Sequence, residues 1–123
     1  MARMVGVFLT GAFLMAAEAA FTNPAQNPGK AIVKAAALFS ADCAGCHGAD
    51  GHGALPLAGI PDFNDPAFQK GRTDKELINS VTNGRNLMPT FKEQLKPEEI
   101  RLLISYVRGF PERARKASEG DRR

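Results

Sequence analysis

This chain of 123 residues has no tryptophan, one tyrosine, two histidines and two cysteines. The cysteines, Cys43 and Cys46, stand in a single C-x-x-C. No disulfide can therefore tie distant segments together, and the small loop this pair could close adds little stability. Nothing alternates with strand period for long enough to build a sheet, and no repeat recurs, which excludes sandwich, barrel and solenoid folds. The charge is also modest. Sixteen Lys and Arg against 13 Asp and Glu leave +3, without the clustered basic stripe of a nucleic-acid binder. The cations read as a solvated face or as a docking surface for an acidic partner protein.

Long hydrophobic runs are missing as well. The apolar block from Val5 to Ala17 falls short of the roughly 20 residues a membrane-spanning helix needs. It follows Arg3 and ends in Ala17-Glu18-Ala19, the layout of a secretory signal peptide with an A-x-A cleavage site. An uncleaved anchor is the competing reading. We read residues 1–19 as the signal peptide, 20–29 as a Pro-rich tether, 30–110 as the folded domain and 111–123 as a charged flexible tail. No transmembrane segment is expected in the mature chain, and the expected location is the bacterial periplasm. A domain this small is marginal without a staple, and many of its apolar residues are alanines.

What remains is helical. "KAIVKAAALFSAD", from Lys30 to Asp42, repeats Ile32, Ala35, Ala36 and Phe39 at helical spacing. In "TDKELINSVTNG", Thr73 and Glu76 form a capping box, Leu77, Ile78 and Val81 make the buried stripe, and Gly84 is the stop. "PEEIRLLISYVRGF" starts with Pro97 and two glutamates that suit the positive end of the helix dipole. Ile100, Leu103, Ile104 and Val107 form its apolar face, with Gly109 and Pro111 as terminators. Between the first two helices runs a long Gly- and Pro-rich loop, a form that small domains keep when the loop binds something.

The chemistry concentrates in "CAGCHG", residues 43–48. A redox dithiol belongs at a helix N-terminus after a strand, but here a helix precedes the motif. A zinc site needs four ligands, and only His47 and His52 accompany the thiols. As a haem attachment, each residue has a role. Cys43 and Cys46 bond to the two vinyl groups, Ala44 and Gly45 allow a tight turn, and His47 puts an imidazole on the iron. Iron then needs a sixth ligand or an open site. Met1, Met4 and Met15 fall in the signal segment, so Met88, in "NGRNLMPTF", is the candidate. His52 sits too near His47 to reach the opposite face and reads as an exposed loop histidine.

Residues 30 to 110 resemble the class I monohaem c-type cytochromes, through "LFSADCAGCHGADGHG", "IPDFNDPAF", "ELINSVTNGRNLMPTF" and "LKPEEIRLLISYVRGF". The likeness is to the branch of small bacterial cytochromes and of cytochrome subunits of oxidases and dehydrogenases. The resemblance implies an all-α cytochrome c fold, three to four helices wrapped around one covalent haem c. Its first and last helices would cross through Ala35, Phe39, Leu103 and Tyr106, with Ala35 where many members have glycine. It implies a proline carbonyl accepting from the proximal imidazole, for which Pro56 and Pro61 are both candidates. With no tryptophan to bind a haem propionate, Arg85 and Asn86 are the candidates for that role.

The expected function is one-electron transfer, not enzymatic catalysis, with His47 and Met88 as axial iron ligands. An apolar shell of Phe39, Leu55, Ile60, Phe63, Leu77, Val81, Leu87, Phe91 and Ile104 would exclude water. The expected partners are redox proteins: a donor dehydrogenase or quinol-oxidising complex, and an acceptor oxidase or reductase. The chain would act as a monomer or as a subunit of a larger oxidoreductase. A haem sensor or peroxidatic protein with a displaceable Met88 is the rival of a different class.

Overall fold

The computed structural model describes residues 27–54 and 59–123. The signal segment, most of the tether, Leu55 and Pro56 lie outside them. Among the described residues there are six helices and no strand. They are α1 (Pro28–Asp42), α2 (Ala44–His47), α3 (Pro66–Gly71), α4 (Asp74–Asn83), α5 (Pro97–Arg108) and α6 (Phe110–Gly120).

Local chemistry sets the helix starts. Asn27 caps α1 by accepting from the Lys30 N–H, with Pro28 in the first turn, so the helix begins two residues before the expected Lys30. Thr73 and Glu76 form the expected capping box on α4, Thr73 Oγ1 accepting from the Glu76 N–H and Glu76 Oε2 from the Thr73 N–H. Glu99 accepts from the Lys96 N–H at 2.9 Å and also pairs with Lys34 of α1 at 2.9 Å, tying the start of α5 to its neighbour.

The core lies where α1 meets α5. Phe39, Ile100, Leu103 and Val107 are buried there with Phe63, Phe91, Leu95 and Phe110. Ala35 is buried on the same face, and Phe39 packs on Tyr106 with ring centroids 5.4 Å apart. All four apolar positions read for α5 are buried. Leu77, Ile78 and Val81 are half-buried rather than fully enclosed. Ile32 departs from its expected stripe: it is 52% exposed, because the buried face of α1 runs through Ala35 and Phe39 and leaves Ile32 beyond the contact with α5.

Two segments correct the sequence reading. The long loop contains α3, begun by Asp65, whose side chain accepts from the Ala67 N–H, and by Pro66. The expected charged flexible tail forms α6 over Phe110–Gly120. Pro111 does not stop the chain; at the first turn it starts a new helix, where its missing N–H costs nothing. Three features hold α6. Phe110 is buried, the Arg113 guanidinium lies 3.9 Å over Tyr106 and 4.3 Å over Phe110, and Arg115 pairs with Glu112 and Glu119.

Candidate functional site

The end of α1 leads directly into the motif. Cys43 closes α1 through its N–H to the Phe39 carbonyl, and its own carbonyl accepts from the Cys46 and His47 N–H groups to start α2. Both thiols are free, Cys43 half-buried and Cys46 exposed. Burial, reinforced by the charge of Asp42, pushes the Cys43 thiol up to about 11. A thiol held protonated in this way lacks the lowered pKa of a reactive cysteine.

His47 ends α2 and is half-buried. Its ring stacks on Phe63, centroids 4.7 Å apart and planes 19° from parallel. Burial lowers its pKa, favouring the neutral imidazole, the form that ligates a metal. Its Nδ1 is buried and has no hydrogen-bond partner among the described residues. The Pro61 carbonyl is therefore not its partner here, and Pro56 lies outside the described residues.

Met88 arrives from the far side of the sequence on a tight turn. Arg85 and Met88 exchange both backbone hydrogen bonds, at 3.0 and 2.9 Å, across a tip formed by Asn86 and Leu87. Asn86 has φ +53, a left-handed conformation that asparagine tolerates. Gly84, at φ +77, is required: a Cβ there would lie 2.7 Å from the Met88 carbonyl oxygen. The Phe91 N–H to the Val81 carbonyl and Thr90 Oγ1 to the Thr82 carbonyl fasten the turn to α4.

These elements enclose an apolar cleft of about 300 Å³, counting its open mouth, lined by Phe39, Cys43, His47, Phe63, Val81, Met88, Leu103, Ile104 and Val107. The donor set facing it is an imidazole, a thioether and a thiol within a hydrocarbon wall. That combination suits a planar apolar cofactor with iron at its centre. Among the described residues no three His, Cys, Asp or Glu side chains converge as a site for a bare metal ion.

Of the expected shell, Ile60, Leu77, Leu87 and Phe91 do not line the cleft, and Leu55 lies outside the described residues. Leu87 is 84% exposed, because pairing of Arg85 with Met88 puts it at the turn tip. Phe91 is buried in the core but does not line the cleft. Arg85 lines a separate polar cleft with Arg72, Glu76, Asn79, Ser80 and Gly84, and Asn86 is exposed. His52 is exposed as expected, yet it is engaged: Nδ1 lies 2.9 Å from Asp62 Oδ2, and Nε2 lies 3.3 Å from Asn64 Nδ2. Sequence reading missed the polar junction built by Gln69 and Arg108 behind Phe63. Gln69 sits in a stretch read as loop and Arg108 in the last turn of a helix, and no motif marks either.

The chain is similar to several known proteins. Residues 30–107 match the family described as cytochrome c oxidase, cbb3-type, subunit III. The cytochrome c6 of Nostoc sp. is 38% identical over 90 residues, 73% of this chain and 78% of that protein. The cbb3-type cytochrome c oxidase subunit FixP of Azorhizobium caulinodans is 35% identical over 85 residues, 68% of this chain but 28% of FixP. Among solved structures, the KustC0563 c-type cytochrome aligns with a TM-score of 0.55 and 34% identity, covering 62% of this chain and 95% of that one.

Proposed function

Because this chain belongs to the class I monohaem c-type cytochromes, with one covalently held haem c, we propose that Cys43 and Cys46 form its two thioether bonds and that His47 and Met88 are its axial iron ligands. Its fold is the all-α cytochrome c fold, and it is an electron-transfer protein, not an enzyme. The observation that carries the ligand assignment is the convergence of Met88, from the turn after α4, on the cleft that also holds Cys43 and His47.

When bound, haem c supplies an iron centre that gains and loses one electron. The chain's residues set the conditions for that exchange. His47 offers a neutral nitrogen donor, kept so by burial. Met88 offers a neutral thioether, which favours the reduced state and raises the potential. Val81, Leu103, Ile104 and Val107 wall the cleft with hydrocarbon, so little water reorganises when the charge changes.

The test is spectroscopic. The ferric holoprotein should show a sulfur-to-iron charge-transfer band, and Met88→Ala should abolish it and open the site to carbon monoxide. A wild-type protein that lacks the band and binds carbon monoxide readily would favour the sensor or peroxidatic alternative.

The chain is proposed to work as a periplasmic carrier between redox proteins. Arg3, the apolar block and the A-x-A site support export. Among the described residues no helix is long and apolar enough to cross a membrane. The likeness to FixP supports a second reading, a haem subunit of an oxidase. This chain matches about a quarter of FixP's length, so that reading is argued from the haem domain alone. Stoichiometric co-purification of a catalytic subunit from periplasmic and membrane extracts would select it over a free carrier.

A further inference from the structure

We infer that Gln69 is a positioning residue for the imidazole of His47, acting through Phe63; the inference rests on the reading of His47 as an iron ligand. Phe63 is 7% exposed and lies nearly parallel to the His47 ring at 4.7 Å. Its backbone is held at both ends. The Phe63 N–H donates to the Gly51 carbonyl at 2.8 Å, and its carbonyl accepts from Gln69 Nε2 at 2.6 Å.

Gln69 is the junction of three backbone segments. The same Nε2 donates to the Val107 carbonyl in the last turn of α5, at 3.1 Å. Its Oε1 accepts from Arg108 Nη1 at 3.0 Å, and that nitrogen also donates to the Gln69 carbonyl at 2.7 Å. The rest of the guanidinium staples the turn between α3 and α4: Nη2 donates to the Arg72 carbonyl, and Nε pairs with Asp74 Oδ1 at 2.8 Å. An amide offers two donors and one acceptor oxygen. All are committed here, which locks the Gln69 rotamer and with it the Phe63 carbonyl. Small changes in the orientation of a ligating imidazole and in its access to water are levers on a haem iron. A flat ring fixed against the imidazole acts on both.

The test uses the holoprotein. Gln69→Leu removes both donors and the acceptor at similar volume. Two readouts follow: the hyperfine-shifted His47 ring resonances in the ferric NMR spectrum, and the midpoint potential. Both should move, the potential downward, because a loosened Phe63 admits water that stabilises the ferric charge. Asp74→Asn, which weakens only the outer contact of Arg108, should lower the melting temperature and leave both readouts in place. In a Phe63→Leu background the Gln69→Leu shift in potential should vanish, since the ring it acts through is gone.

A Gln69→Leu protein that melts lower with unmoved resonances and potential would overturn the inference. So would an equal shift in the Phe63→Leu background. If Gln69→Leu does not fold, Gln69→Met, unbranched and close in volume, carries the same readouts. A wild-type spectrum without hyperfine-shifted His47 resonances would count against the ligand assignment itself, a different failure.

Discussion

Leu103 and Leu87 are the same residue type in opposite environments, so truncating each to alanine separates burial from composition. Leu103 is 2% exposed, packs against the α1 face and borders the apolar cleft. Removing its branched end deletes buried contacts and leaves a void that the crossing helices cannot close, which costs about 2–5 kcal/mol. For a domain of this size, a loss of about 3 kcal/mol lowers the melting temperature by roughly 12–24 °C. Leu87 is 84% exposed and has little burial to lose, so Leu87→Ala should cost less than about 0.5 kcal/mol. The assay is guanidinium unfolding of both holoproteins, followed in parallel by far-ultraviolet circular dichroism and Soret absorbance, with the slopes checked for constancy. Leu87→Ala should also retain the sulfur-to-iron band. Equal losses for the two variants would refute the argument, because Leu87 would then pack inward and the pairing of Arg85 with Met88 could not define the turn.

Three further outcomes follow from named contacts. His52 has a raised pKa, chiefly through its hydrogen bond to Asp62, opposed by burial and supported by the charges of Asp62 and Asp50. Its folded value lies above the unfolded value of 6.5, so its stabilisation is complete below that pH and is lost as pH rises through the folded value. The stability gap between wild type and His52→Gln should therefore be larger at about pH 5.5 than at about pH 8.5; an equal gap at both would remove the ion pair as its cause. Gly51→Ala puts a Cβ 2.8 Å from the Phe110 ring at φ +81, and should cost about 1–3 kcal/mol or more in thermal unfolding. A neutral result would mean that the ring is free to move. Arg113→Ala removes the cation held over Tyr106 and Phe110, a loss of about 0.5–2 kcal/mol. Amide exchange along α6 should quicken, and unchanged protection would show that Phe110 alone seats the helix.

Legibility in the sequence followed the range of the interaction. The capping box of α4, the proline start of α5 and the apolar face Ile100, Leu103, Ile104 and Val107 were readable because each signal spans a few residues and repeats with the helix period. The helix in the tail was not, since Pro111 serves equally as a stop or as a first-turn residue. The choice rests on Phe110 entering the core and on Arg113 stacking on Tyr106, contacts made outside the segment. Ile32 and Leu87 were misread for a related reason. Periodicity and apolar character do not say where the partner helix ends or which residues occupy a turn tip.

For the site, the sequence by itself determined the chemical identity. Two thiols, two small spacers and a histidine in consecutive positions point to a class of cofactor, because that signal is carried by a few adjacent residues. It also singled out Met88 by elimination. Only the tertiary structure decided the rest. It brings Met88 to the cleft of His47, it gives Leu87 to solvent, and it places Phe63 against the imidazole with Gln69 and Arg108 behind it. Those arrangements depend on where α5 crosses α1 and on which carbonyls the ends of α3 and α5 leave unpaired. Helix packing and backbone hydrogen-bond supply are properties of the whole fold, and no stretch of sequence carries them alone.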